Sequence, residues 1–278
     1  MNGALASKPK IAILVAFHNR KFQTVECARR LDLIFRDSWD PFFCFTDDGS
    51  DDGTGDALLE LGINCKFKKG DGSWYWAKSM AMAEKLIPKD AKAILWVNDD
   101  VLLHEFTETS NFLMSKLASN SVYVGFLGAS SNEEAVTYGP LRLKGKHPLK
   151  LEDIEHVSSE LADYDTFNGN FVFLPNHIWE KVGVIDSQFA HGFADLDYGF
   201  RVKEEGFLIS NIPFVVGICD RNKPNVLSLS KVLKNWNHPK VLPVSSNLRF
   251  LRKHGGFWWP IFSIRYFLGL SRRILNNR

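Results

Sequence analysis

The sequence predicts an α/β protein built on a doubly wound, mostly parallel sheet, and three observations carry that prediction. Apolar runs at 11–17 (IAILVAF) and 93–97 (AILWV) are unbroken, as strands buried on both faces require. Segments with helical spacing separate such runs, so strands and helices alternate. Acidic clusters at 47–52 and 98–100 each follow an apolar strand, at the end where open α/β sheets place their ligands.

Taken in order, strand 11–17 runs into His18-Asn19-Arg20, which opens a helical stretch ending near Arg30. A second strand over 42–46 enters DDGSDDGT at 47–54, and a short helix from about Gly55 stops at Gly62. A third strand over 64–68 precedes a helical segment over 73–86, with Trp76, Met80, Ala83 and Ile87 on one face. The fourth strand, 93–97, delivers Asn98-Asp99-Asp100. Beyond it the pattern loosens to a strand over 122–129, a loop of about 30 residues that reads as a binding lid, a strand over 171–174, a helix from Pro175 and a helix near 195–205. The tail from Gly256 mixes aromatic residues with Arg265, Arg272, Arg273 and Arg278 and is interrupted by Pro260. It reads equally as an interfacial membrane helix or as a terminal helix packed on the core.

The 278 residues, 45% hydrophobic and 24% charged, suffice for a large core. A formal net charge of +2 gives no support for a nucleic-acid partner. Cysteines 27, 44, 65 and 219 form neither a zinc spacing nor a disulfide framework, which points to a reducing, cytoplasmic setting. No run approaches the roughly 18 apolar residues of a membrane span, and the N-terminus lacks a signal-peptide pattern.

Three constellations could carry chemistry. Asn98-Asp99-Asp100 offers hard oxygen ligands for Mg²⁺ or Mn²⁺ against phosphates, or it is an ordinary turn. Read as a calcium loop from Asp48, the 47–53 run fails because Leu59 takes the place of the bidentate acid. Its carboxylates can instead accept from a base or ribose, while part of the cluster caps a helix. Asp195 and Asp197, in FADLDYGF, open a predicted helix whose exposed amides favour an ionised carboxylate, able to act as general base; acidic first turns are also commonplace. Trp74, Tyr75 and Trp76 are candidates to stack on a sugar or nucleotide ring, with at least one, Trp76, suited to the core.

In order and spacing, IAILVAFHNR, DDGSDDGT, WVNDDV and the block FNGNFVFLPNHIWEKVGVIDSQFAHGFADLDYGFRVKEEGF resemble family 2 of the inverting glycosyltransferases, over residues 10–222. GDGSWYWAKSMAMA and HGGFWWP are similar to a subgroup described as rhamnosyltransferase-like enzymes of cell-surface polysaccharide synthesis. The resemblance implies a GT-A fold at 1–222, with a nucleotide-sugar half at 10–103, an acceptor-side half at 104–222 and a C-terminal extension at 223–278. It implies a dTDP- or UDP-linked donor contacted by Phe17, Asn19, Arg20, Asp47, Asp48, Trp76, Lys78 and Asp99. It implies a metal at Asp100 and Asn98, a catalytic base at Asp195, and acceptor contacts at Asn168, Gly169, Asn170 and Asp197. Asn98 stands where the family's first metal-binding Asp would, Ala194 replaces the acidic neighbour of the base, and Cys219-Asp220 occupies the place of a downstream metal histidine, while His238 and His254 are weaker candidates that read more readily as structural. The implied acceptor is a saccharide or lipid-linked saccharide, with peripheral membrane contact through the tail at the inner face of the membrane. A non-catalytic nucleotide-sugar or glycan-binding protein on the same fold is the alternative.

Overall fold

The structure is a computed structural model that describes residues 7–105, 107–189, 191–221, 234–236 and 238–276, without the side chains of 273–276. Arg278, the side chain of Arg273 and all of 222–233 therefore lie outside the described parts. Its strands are β1 (Lys10–Phe17), β2 (Asp40–Asp47), β3 (Cys65–Lys69), β4 (Ala93–Val97), β5 (Leu102–Leu103), β6 (Ser121–Ala129), β7 (Asn132–Tyr138), β8 (Pro140–Leu143), β9 (Leu151–Asp153), β10 (Thr166–Phe167), β11 (Phe171–Pro175) and β12 (Leu208–Ile218). The central sheet runs β3-β2-β1-β4-β11-β6-β12-β5, with β7 alongside β6. Strands β1 to β4 pair in parallel and β6 pairs in parallel with β12, whereas β11 runs antiparallel to both β4 and β6.

The uniformly apolar strands bury both faces. From β1, Ile11, Ile13 and Val15 pack under α1 (Lys21–Phe35), α2 (Thr54–Glu60) and α4 (Thr107–Ser115), through Leu31, Leu58 and Leu113 among others. Ala12 and Leu14 point the other way, onto α3 (Tyr75–Glu84), α5 (Asn176–Val182) and α6 (Ala194–Glu204), through Met80, Ile178 and Tyr198. This alternation from a continuous apolar run is what a sheet covered on both sides demands.

Two stretches differ from the sequence-based reading. The expected lid at 130–170 holds the hairpin partner β7 and a separate three-stranded antiparallel sheet, β10-β8-β9. Its strands are short, and β7 (NEEAVTY) is mostly exposed, so no apolar periodicity announces it. Strand β12 has no counterpart in the sequence reading, because Ser210, Asn211 and Pro213 interrupt its apolar pattern. Pro213 falls where the register with β6 shifts, a place a ladder tolerates a residue without N–H.

The C-terminal part forms α7 (Val244–His254), a 3₁₀ turn at Gly256–Trp258 and α8 (Trp259–Asn276). Pro260 does not interrupt α8; it lies in the first turn, where a missing N–H costs no helical hydrogen bond. No helix among the described residues is long and apolar enough to cross a membrane.

Asp197 ties α7 to the sheet. Its carboxylate is fully buried and meets Arg201 Nε at 3.0 Å, His254 Nε2 at 2.8 Å and the Lys253 ammonium. Burial pushes this carboxyl up, but the hydrogen bonds from His254 and Lys253 and the surrounding positive charge outweigh it and hold the group below the usual carboxylate range. Asp197 therefore stabilises the fold above the ordinary carboxylate pKa and loses that contribution as pH falls further. Asp197→Ala is expected to cost about 3 kcal/mol, since it strands buried cations, and to lower the midpoint of urea unfolding accordingly.

Candidate functional site

Because β1, β2, β4, β6 and β12 all present their carboxyl ends on one rim, the loops that follow them converge there. The reversed β11 brings its amino end to the same rim. A cleft of about 500 Å³ opens between them, lined by Phe17, His18, Arg20, Asp48, Tyr75, Trp76, Asn98, Asp99, Asp100, His191 and Lys240.

Polar contacts zip the first two loops together. Asn19 N donates to Ser50 Oγ at 3.0 Å, Asp51 N to Asn19 Oδ1 at 2.9 Å, and Lys21 N to Asp52 Oδ2 at 2.9 Å. Asp47 Oδ1 accepts from Ser50 N and closes the turn. Asp52 accepts from Thr54 N at the start of α2, the capping share expected of this cluster. Asp48 does more: its carboxylate accepts from the amides of Gly72 (3.0 Å), Trp74 (3.1 Å) and Tyr75 (2.9 Å), so it shapes the loop that leads into α3. Gly70 is needed beside it, as a Cβ there would sit 2.6 Å from Asp48 Oδ1.

At the end of β4, Arg20 bridges the acidic pair, with Nη1 3.0 Å from Asp99 Oδ1 and 2.7 Å from Asp100 Oδ2. Burial raises the Asp99 carboxyl to about 6, with Arg20 opposing the shift. The Cys219 thiol, at the end of β12, donates to Asp100 Oδ1 at 3.6 Å and is itself pushed up to about 12 by burial. Asn98 lines the cleft with its polar groups engaged: its Oδ1 accepts from Trp76 Nε1 at 2.8 Å, and its backbone N–H donates to the Asn170 carbonyl.

Trp76 connects this pair to Asp195. The Trp76 ring packs so closely on Gly169 that an added Cβ would lie 2.7 Å from it and 3.2 Å from Asp195 Cβ. Asp195, partly buried in the first turn of α6, accepts from Gly169 N at 3.0 Å and Leu196 N at 2.9 Å. Burial raises its carboxyl above the ordinary value, with those amides opposing. Of the other expected residues, Asn168 donates its amide to Gly139 and Asn170 Nδ2 reaches toward Cys219 Sγ, while Lys78 lies over the Trp74 ring.

Asp197, expected on the acceptor side, is fully buried and its carboxylate is taken up by Arg201, Lys253 and His254. The same contact takes His254 out of the metal reading. His238 packs edge-on to Tyr75 at 6.2 Å and caps the following turn through Lys240 N.

His191 and Lys240 are cleft residues that sequence reasoning missed. His191 Nδ1 is buried without a hydrogen-bond partner among the described residues, and burial, then Lys240 and Arg20, lower the ring to about 4. It is therefore neutral at neutral pH, with a nitrogen available to a ligand. Its place four residues before Asp195 was the one available signal. Asn19, Tyr75 and Phe193 are the described non-glycine residues with positive φ, at 50°, 52° and 74°, and each borders the cleft or directly precedes α6. Left-handed backbone at bulky residues is strained, and such strain gathers at functional sites.

Two outcomes follow. The Asp99 carboxyl should titrate near pH 6 in carbon NMR, and Arg20→Met should move that midpoint upward, since the opposing positive charge is lost. Because the folded value is raised, this group favours the fold more as pH falls from about 6 toward the ordinary range. Gly169→Ala should destabilise by about 1–3 kcal/mol in urea unfolding, the cost of forcing Trp76 and Asp195 apart.

No family model and no curated protein sequence matches the chain. Solved structures do match in shape. GalNAc-T7 with UDP, GalNAc and Mn²⁺ aligns over 90% of this chain and 52% of its own, at TM-score 0.58 and 10% identity. The mannosyltransferase PcManGT from Pyrobaculum calidifontis, in complex with GDP-Man and Mn²⁺, aligns over 98% and 74%, at 0.54 and 13%. Residues 1–349 of S. aureus TarS align over 89% and 72%, at 0.55 and 12%. The chain spans about half the length of GalNAc-T7. At such identities the likeness is one of architecture, and on that basis the chain has the GT-A fold.

Proposed function

We propose that this chain is a metal-dependent glycosyltransferase that moves a sugar from a nucleoside-diphosphate donor to an acceptor hydroxyl with inversion. The observation that carries the reading is the continuous wall Asp100, Asn98, Trp76, Gly169 and Asp195, which joins a phosphate-side acidic pair to a raised carboxyl suited to proton removal.

The acidic pair fits Mn²⁺ or Mg²⁺ in a shared way. Arg20 already draws both carboxylates around one positive charge, and such ions need only one or two carboxylates when phosphate and water complete the shell. No group of three or more protein ligands occurs among the described residues, in keeping with a site that the donor would complete. Asp99 and Asp100 would hold the ion; once bound, it would neutralise the diphosphate leaving group. Arg20, released, is free to pair with phosphate oxygens, and neutral His191 can donate its ring N–H to the same group. Phe17, Asn19, Asp47 and Asp48 border the place for base and ribose, with Asp48 acting through the loop it shapes. Asn168, Gly169 and Asn170 border the acceptor side. Asp195 takes the acceptor proton, and attack from the face opposite the departing diphosphate inverts the anomeric centre. Ala194, beside that base, is fully buried, so its side chain takes no part in the chemistry. The rhamnosyltransferase-like resemblance and a role in cell-envelope polysaccharide assembly, with a dTDP- or UDP-linked donor and a saccharide or lipid-linked acceptor, belong to this reading.

Arg20 locked on both acids also suits a protein that binds nucleotide-sugars without turnover. A donor panel assayed for transfer and hydrolysis with Mn²⁺ separates the two. Transfer by the wild type, reduced at least about 1,000-fold in Asp195→Asn while nucleoside-diphosphate affinity is kept, is the expected result. Absence of turnover across the panel favours the binding protein. In calorimetry, Asp100→Ala should abolish the metal dependence of nucleoside-diphosphate binding. In the wild type that affinity should fall by about tenfold per pH unit below about 6, as Asp99 takes up its proton.

A further inference from the structure

A second cavity, of about 820 Å³, lies away from the cleft, between the loop joining β8 to β9 and the C-terminal helices. Its walls are apolar where Phe193, Leu251, Phe262 and Leu270 contribute and cationic where Lys146, Lys150 and Arg265 do, and among the described residues no acid lines it. Lys144, also at its edge, is paired with Glu152 at 2.7 Å; Lys146, Lys150 and Arg265 have no carboxylate partner among the described residues. Apolar walls beside unneutralised cations suit an anion that carries hydrocarbon.

The helix that walls this cavity has an outer face left exposed among the described residues. Ser263 and Leu270 of α8 are buried, with Tyr266 packed toward Leu242 and Val244. On the opposite side Ile261 (48% exposed), Ile264 (60%) and Leu268 (57%) form a stripe at helical spacing, with Arg265 and Arg272 on its flanks. Phe257 (91%) and Trp258 stand out from the turn before the helix. An aliphatic stripe with aromatic residues at its head and arginines beside it is the composition of a helix lying in a bilayer interface.

We propose that the 256–258 turn and α8 dock on an anionic phospholipid bilayer, with the adjoining cavity taking the phosphate group of a lipid from that surface. Charge complementarity decides the occupant: Lys146, Lys150, Arg265 and Arg272 lie beside apolar surface, and an anionic leaflet offers phosphate charge and hydrocarbon together. Phe193 walls the cavity and, along the chain, immediately precedes the α6 turn that carries Asp195. Docking itself does not depend on the transfer reaction.

The test is co-sedimentation of the full chain with vesicles of phosphatidylcholine alone and of phosphatidylcholine with phosphatidylglycerol in equal parts. Binding to the anionic vesicles is expected, weakened by salt and weak on phosphatidylcholine. Ile264→Asp with Leu268→Asp, and separately Lys146→Glu with Lys150→Glu, should each lower it at least about tenfold. All four positions lie on the surface or a cavity rim, and circular dichroism verifies that the variants are folded. Asp195→Asn should bind vesicles like the wild type, so failure of the glycosyltransferase reading leaves docking intact. The proposal is overturned by equal binding to both vesicle types, by variants that bind normally, or by calorimetric uptake of inorganic phosphate with no vesicle binding. A wild-type dimer that the Ile264→Asp, Leu268→Asp variant converts to monomer, with vesicle binding unchanged, would assign the face to a second copy and overturn it equally.

Discussion

Between β4 and β6, whose carboxyl ends both face the cleft, the sheet accepts one reversed strand, and the arrangement of the site depends on that reversal. Strand β11 pairs antiparallel with both neighbours, so its first residues rather than its last reach the rim. Asn98 N donates to Asn170 O across this junction, and Gly169, one residue earlier, offers its amide to Asp195. A parallel strand in the same slot would send 168–170 to the far edge of the sheet and leave Asp195 without the amide that orients it. Gly169 must be glycine for the same reason: Trp76 and Asp195 close on it from two sides.

Charge at the rim is arranged around that frame. Asp99 and Asp100 share the single positive charge of Arg20, which lets two adjacent acids persist where one is almost fully buried. The cluster is poised rather than inert, since Asp99 is held near 6 and Arg20 is partly exposed. In the same cleft a neutral His191, whose Nδ1 has no hydrogen-bond partner among the described residues, offers polarity without charge. Asp48 stabilises the third side by spending its whole carboxylate on three loop amides, and Tyr75 adopts its left-handed backbone within that same loop.

A different acidic residue does the opposite work. Asp197 stands two positions from Asp195 on the same helix, yet points inward and holds Arg201, Lys253 and His254. Helical geometry explains the division: residues two apart lie on different faces, so one carboxylate meets the rim and the other meets α7.

By itself the sequence determined the strands β1, β2 and β4, the helices between them and the acidic clusters at their ends, because unbroken apolar runs and loop acids are local signals. It also marked Asp99, Asp100 and Asp195 as residues to watch. Only the tertiary structure decided that β11 is reversed, that Asp48 spends its carboxylate on a loop, that Asp197 belongs to the core and that His191 belongs to the cleft. Each of these depends on pairings between residues far apart in the chain, such as Asn98 with Asn170 or Asp197 with His254, and no local periodicity encodes such a pairing. The same holds for Pro260, which reads as a break in isolation and begins a helix in the fold, because its position relative to the first turn is set by the chain packed before it.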